Sequence, residues 1–329
     1  MKQRMAEPHN TRETWLVAAW PGMGSVGVAA AAYLVNKLSA RLIHEVPARD
    51  VFDQMHIDVK EGLARAGRLP RSMFFEWSNP SNNHDLLIFL GEAQPPHHGY
   101  SFCHKLLDYA AHRDIKRIVT FAAMATQLHP KQSPRVFGVA TNGETIRELQ
   151  ALESNILKEG QISGLNGVLL AAGLERGIPG MCLLGELPFF AAGVPNPKAS
   201  KAVLELFATM ADIEIDLTDI DRQAKAVEQT HMQILEKLRE ATKQQQAEAG
   251  EEGFSIPDPE AETDEPADEQ AKKSKKPALD FATRQRIESM FEAANQDRTK
   301  AFALKEELDR LGVFEQYENR FLDLFKKAD

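Results

Sequence analysis

Apolar residues are distributed along this chain in two regimes. Up to about residue 210, short apolar runs alternate with segments whose apolar positions recur every three or four residues. Buried strands alternating with amphipathic helices produce that pattern. Residues 14–20 (TWLVAAW) form the first run. Residues 25–38 place Val28, Ala32, Val35 and Leu38 on one helical face, broadened by Tyr33 and Leu34, and residues 41–46 read as a second strand. The spacing predicts a right-handed βαβ unit. Residues 47–69 lack a clear period and read as irregular or partly helical. Residues 72–77 and 85–90 read as two strands, and the turn-rich Asn79-Pro80-Ser81-Asn82-Asn83 between them predicts an antiparallel hairpin. Beyond Pro95-Pro96, helices are predicted at 101–112, 144–159, 166–176 and 199–210, and strands at 115–122, 135–140 and 181–185. The alternation gives an α/β class and the hairpin makes the sheet mixed. No internal repeat is present.

The second regime begins at Leu217. Leu217, Ile220, Ala224, Val227, His231, Ile234 and Leu238 step by three and four alternately, an a/d seam over three heptads. Thr218 and Asp221 stand at capping-box spacing at its start. The helix can pack on its own body or on a partner, and His231 reads as a polar residue tolerated on the seam. Residues 247–278 are acidic, then basic at Lys272-Lys273-Lys275-Lys276, with Pro throughout. Such a segment buries too little surface to offset chain entropy and is expected to be a disordered linker. From residue 279 the pattern is helical again. Phe302, Leu304, Leu308 and Leu311 precede Gly312, then Phe314, Tyr317, Phe321, Leu324 and Phe325 form an aromatic stripe. A tail this short needs something to dock on, either its own chain or a partner. The expected organisation is a flexible arm (1–12), an α/β core (13–216), a long helix (217–246), a linker (247–278) and a helical segment (279–329).

Charge and composition narrow the function. The 329-residue chain has a formal net charge of −9, which argues against nucleic-acid binding. Residues 14–36 carry no charge and are long enough to span a bilayer. Pro21 and the glycines interrupt them, and the alanines that follow drive insertion weakly. Glu7 and Glu13 beside Lys2 and Arg4 fit a leader peptide poorly. The expectation is a soluble, cytoplasmic protein with no membrane partner. Cys103 and Cys182 sit apart in apolar stretches and read as buried free thiols. No CxxC or His/Cys cluster suggests a metal.

The segment of greatest chemical interest is Gly22-Met23-Gly24-Ser25-Val26-Gly27, after a strand and before a helix. Gly22-x-Gly24-x-x-Gly27 has the spacing of a pyrophosphate-binding turn, and Glu45 ends the next strand, where a dinucleotide enzyme places its ribose acid. Gly22, Met23, Gly24, Ser25, Gly27 and Glu45 are therefore the candidate ligand residues. Against a dinucleotide stand Pro21 before the first glycine, a hairpin in place of a crossover, and no evident hydride-transfer site. Three readings stay open: a sharp structural turn, a loop holding an anion or other ligand, and a dinucleotide site. Ser25 lacks the spacing of a nucleophile elbow. His97-His98 diverge as neighbours, and His129 is a lone loop histidine before Pro130. Asn166 reads as a turn or helix-cap residue, and Glu186 falls near a strand end. No catalytic constellation, cofactor site or metal site emerges.

Four segments together resemble the PAC2 family, the proteasome assembly chaperone 2-like proteins. They are Pro21 to Gly27 with the alanine-rich helix and Tyr33-Leu34; residues 85–95 (DLLIFLGEAQP); Ser163-Gly164-Leu165-Asn166-Gly167 with Leu169-Leu170; and Pro195-Asn196-Pro197-Lys198-Ala199-Ser200. The resemblance covers residues 14–224. The last motif usually reads Pro-Asp-Pro with Ala-Ala following; here Asn196 and Ser200 depart from it. The resemblance implies a three-layer phosphorylase/hydrolase-like fold with a mixed central sheet and self-association or pairing with a related chain. For eukaryotic and some archaeal members it also implies binding to proteasome subunits. It supplies no catalytic residues, and it accounts for the glycine loop without a cofactor. Members that dock into proteasome pockets can end in a hydrophobic residue, tyrosine and any residue, whereas this chain ends Lys326-Lys327-Ala328-Asp329. The expected function is a non-enzymatic, homo-oligomeric chaperone or assembly scaffold for an unidentified protein client, with the 279–329 tail as one route to it. The alternative is an enzyme or sensor holding a small anionic ligand or nucleotide on the 22–27 loop.

Overall fold

The structure, a computed structural model, describes residues 13–54, 57–81, 84–249, 281–297, 300–311 and 313–325. The expected arm at 1–12 and most of the expected linker lie outside the described residues. In chain order the elements are β1 (Thr14–Ala19), α1 (Val26–Lys37), β2 (Arg41–Val46), β3 (Ile57–Lys60), β4 (Leu63–Ala66), β5 (Ser72–Trp77), β6 (Asp85–Gly91), α2 (Gly99–Ala110), β7 (Ile115–Thr126), β8 (Val136–Ala140), α3 (Gly143–Ala151), β9 (Asn155–Ile156), α4 (Leu165–Glu175), β10 (Gly180–Pro188), α5 (Pro197–Ala211), α6 (Thr218–Ala249), α7 (Phe281–Gln296), α8 (Ala301–Arg310) and α9 (Phe314–Asp323).

Eight strands make one mixed sheet in the order β2-β5-β6-β1-β7-β10-β8-β9. Its centre is parallel: β1 pairs with β6 and β7, and β7 with β10. Every residue of β1, β6 and β10 is buried, as apolar runs covered on both faces must be. One face packs Trp15, Val17 and Ala19 with α1, α5 and Leu149 of α3; the other packs Leu16, Ala18 and Trp20 with α2 and α4. The result is the expected three-layer α/β fold, and β5 and β6 form the expected antiparallel hairpin.

The helix expected at 144–159 ends at Ala151, and β9 pairs with β8 inside its expected span; three further expectations are corrected. First, β1 and β2 do not make a βαβ unit, because β5 and β6 lie between them. β2 carries Arg41, His44 and Glu45 and takes the sheet edge, where Arg41 meets Glu76 and Glu45 meets Arg71. β6, apolar from Leu86 to Leu90 and buried throughout, takes the place beside β1. Second, the stretch at 47–69 holds the β3–β4 ribbon, closed by Glu61 and Gly62, both at positive φ. Two positive-φ residues give the turn whose twist suits a two-residue hairpin. Third, Thr218 and Asp221 do not form a capping box. Asp216 caps α6 by accepting from the Thr218 N–H at 3.0 Å, while Asp221 pairs with Lys201 and Lys225.

The α6 seam packs in cis. Leu217 and Ile220 join the core that includes α1 and α5, whereas Ile234, Leu235 and Leu238 join α7, α8 and α9 around Phe189 and Phe190. The C-terminal aromatic stripe is buried in that second cluster: Phe189 meets Phe302 edge-on at 5.0 Å, and Phe321 is fully buried. α6 runs to Ala249, into the stretch expected to be linker.

Candidate functional site

The four motif segments, far apart in sequence, meet at the carboxyl ends of β1, β7 and β10. Here α1 leaves β1 toward one face of the sheet and α2 follows β6 on the other, the divergence at which α/β sheets open a crevice. The crevice is a cavity of about 800 Å³. Gly22, Met23, Gly24, Ser25 and Gly27 line it, together with Gln94, Ala122 to Ala125, Ser163, Gly164 and Asn166. Glu45 does not reach it. That candidate acid sits on the edge strand, bonded to Arg71 at 2.7 and 3.1 Å, which holds its carboxyl below the usual range.

The glycine loop is tied down by the chain itself. The Gly24 N–H donates to Ala192 O at 2.7 Å, the Ser25 N–H to Gly22 O at 3.0 Å, and the Val26 N–H to Met23 O. Gly24 O accepts from the Asn196 N–H at 2.8 Å, and the Ser200 hydroxyl donates to Val26 O at 3.0 Å. The first and last motifs are thus one clasp, with the Asn196 side chain also capping α5 through the Ala199 N–H. Gly24 has φ +57°, and a Cβ there would lie 2.7 Å from Leu187. At Gly27 a Cβ would lie 2.2 Å from Phe121 O, because α1 crosses the backbone of β7 at that point. Gly22 is extended, with open space around its Cα.

Gln94 joins the other two motifs. Its Nε2 donates to Pro21 O at 2.8 Å and its Oε1 accepts from the Leu165 N–H at 3.0 Å. Asn166 is buried in the first turn of α4, where its Oδ1 accepts from the Trp20 N–H at 3.3 Å. It therefore links α4 to the end of β1, beyond the turn role expected for it. Gln94 was not singled out by its chemistry, although it lies inside the 85–95 motif. Nor was the far wall of the cavity legible: Lys305, Phe314, Glu318, Leu322 and Asp323 come from α8 and α9. Lys305 pairs with Asp309 and lies 3.6 Å from the centre of the Phe314 ring. With Glu159, the lining carries three carboxylates and one ammonium, which pairs with Asp309.

The remaining polar candidates lie elsewhere. Glu186 is 1 % exposed and accepts from the Arg135 side chain at 2.6 and 2.9 Å, the Arg135 N–H at 3.0 Å and the Thr126 hydroxyl at 2.8 Å. Burial pushes its pKa up, but these hydrogen bonds and the guanidinium outweigh it and hold the carboxyl below the usual range. Glu186 joins β10 to the strand and loop beside it. His129 accepts from the Lys131 N–H within its own loop. His97 and His98 have rings 6.5 Å apart and inclined at 66°. Cys103 and Cys182 are free and buried, with both thiols pushed up to about 12 by burial. Among the described residues no group of three His, Cys, Asp or Glu side chains could hold a metal ion, and no helix is long and apolar enough to cross a membrane.

The PAC2 family model matches residues 16–235, which spans β1 through most of α6 and takes in all four motifs. The chain belongs to the PAC2 family. An uncharacterized protein of Methanocaldococcus jannaschii is 27% identical over 229 residues, 68% of this chain and 82% of its own length. Among solved structures, Pyrococcus furiosus PbaB, described as an archaeal proteasome activator, superposes with a TM-score of 0.58 at 25% identity, covering 69% of this chain and 96% of PbaB. P. furiosus PbaA, described as an archaeal homolog of proteasome-assembly chaperone, gives 0.53 at 25%, covering 69% and 95%. A PAC2 family protein from Streptomyces avermitilis gives 0.58 at 22%, covering 67% and 95%, and shows the shared fold. α7, α8 and α9 lie beyond the family match.

Proposed function

We propose that this PAC2 protein is a non-enzymatic, homo-oligomeric chaperone or assembly scaffold that binds a protein client in the cytoplasm. One observation carries the reading: the Gly24 and Ser25 amides that would cradle an anion donate instead to the chain's own carbonyls. The likeness to PbaA and PbaB supports a client of the proteasome kind. The C-terminal helices bury their aromatic stripe against the body, so a tail that captured a client would have to leave that seat first. No cofactor or nucleic acid enters this reading.

A second reading is favoured by the cavity, whose volume suits a small molecule. Native mass spectrometry of the protein purified gently from its own host separates the two. A symmetric oligomer, bare or carrying a second protein, supports the scaffold. A stoichiometric small-molecule adduct that disappears in Gln94→Ala, with the fold intact, overturns it in favour of a ligand site.

A further inference from the structure

The β3–β4 ribbon is out of keeping with the rest of the surface. Its register pairs Ile57 with Ala66 and Val59 with Ala64 on one face, and Asp58 with Arg65 and Lys60 with Leu63 on the other. Directly opposed residues of an antiparallel pair share a face, so one face of the ribbon is apolar at all four positions. It faces solvent: Ile57 is 60% exposed and Val59 69%. Among the described residues, neither outer edge of this two-stranded sheet is paired. A lone two-stranded hairpin is marginal in water, and an open apolar edge invites another strand.

The occupant is identified by the sequence of β3. A second copy paired antiparallel to it, about a two-fold axis through Val59, sets Asp58 directly opposite Lys60 of the second copy. Symmetry repeats that pair on the other side of the axis. The two Val59 side chains then meet on the apolar face, which becomes continuous across four strands. β4 offers no such match: an axis through Ala64 opposes Leu63 to Arg65, and an axis through Arg65 opposes arginine to arginine. Charge complementarity therefore selects both the strand and the register.

We propose that the ribbon is a self-association element, joining two copies of this chain through antiparallel β3 strands centred on Val59. The inference rests on the homo-oligomeric part of the function proposed above and names the surface responsible.

The test is charge exchange in the full-length protein, read by sedimentation velocity over a concentration series. Asp58→Lys alone, and Lys60→Asp alone, each place like charges opposite each other twice and should weaken the association about tenfold. Arg65 faces position 58 within the same ribbon, so the single exchanges and the double variant Asp58→Lys/Lys60→Asp are compared in an Arg65→Ala background, where the double variant restores opposite charges across the axis and should return the constant to near that of Arg65→Ala alone. Both positions are exposed, so the far-UV circular dichroism spectrum should be unchanged, and any fall in melting temperature should track the lost association and disappear on dilution. An oligomer indifferent to the single exchanges, or a double variant no better than the singles, overturns the ribbon assignment and leaves the proposed scaffold standing. A wild-type monomer at every concentration overturns both the ribbon and the homo-oligomer, with client capture still open.

Discussion

Gly27→Ala separates a packing turn from a ligand turn. The added Cβ would sit 2.2 Å from Phe121 O and 2.8 Å from Phe121 C. Phe121 belongs to β7, where it pairs with Leu183 of β10 one residue beyond the end of the β1 ladder, so its carbonyl moves only with the sheet. Helix α1 must instead lift by roughly 1 Å, and a gap of that size forfeits a quarter to a half of each contact's dispersion energy. The face affected is Val26, Ala30, Ala31 and Leu34, all fully buried. Overpacking of this kind costs about 1–3 kcal/mol when side chains can adjust, and about 4 kcal/mol is a fair figure where the obstacle is main chain. Alanine returns about 1 kcal/mol through helix propensity. The net loss is about 3 kcal/mol, or a fall in Tm of roughly 6–12 °C. Gly22→Ala is the control: nothing lies within 4 Å of its added Cβ, and stability should hold within about 0.5 kcal/mol. Urea unfolding followed by tryptophan fluorescence measures both. A Gly27→Ala protein as stable as wild type would refute the packing argument. Equal losses at Gly22 and Gly27 would refute the distinction drawn between them.

Other predictions follow from the buried polar groups. Glu186→Ala removes the acceptor for Arg135 and Thr126 and should cost about 2–3 kcal/mol by urea denaturation, since hydrogen bonds to charged groups contribute most. The folded carboxyl is depressed, so its contribution is present above the unfolded glutamate pKa and is lost as pH falls through the folded value; Glu186→Gln should flatten that acid limb of the stability curve. His231 is 4 % exposed, and among the described residues no group bonds its Nε2. Burial first, then Lys198, lowers its pKa, so its neutral form is favoured and stability falls as pH drops below the unfolded histidine value. His231→Leu should gain about 1 kcal/mol at pH 8 and more at pH 5.5, measured as Tm at the two pH values. Ellman's reagent should find neither Cys103 nor Cys182 reactive in the native protein and both reactive in denaturant.

The sequence by itself determined the α/β class, the β5–β6 hairpin and the α6 seam, because apolar period is set locally by the pleat of a strand or the turn of a helix. It located the glycine loop and three segments that gather around it. What it left open was decided by non-local competition. β2 followed β1 and α1 in the expected order, yet its charged residues sent it to the edge while β6, apolar from Leu86 to Leu90, took the place beside β1. Glu45 went with it, away from the loop it was expected to serve. Gln94 acquired its role only because strand order brought Pro21 and Leu165 to either side of one amide. The turn at Glu61-Gly62 lacked the asparagine or aspartate that flags a hairpin, so the ribbon passed as irregular chain. Whether the α6 seam and the C-terminal stripe faced the body or a partner could not be read from period at all. Both are apolar faces in want of a surface, and only the tertiary structure shows Phe189, Phe190 and Leu235 supplying it.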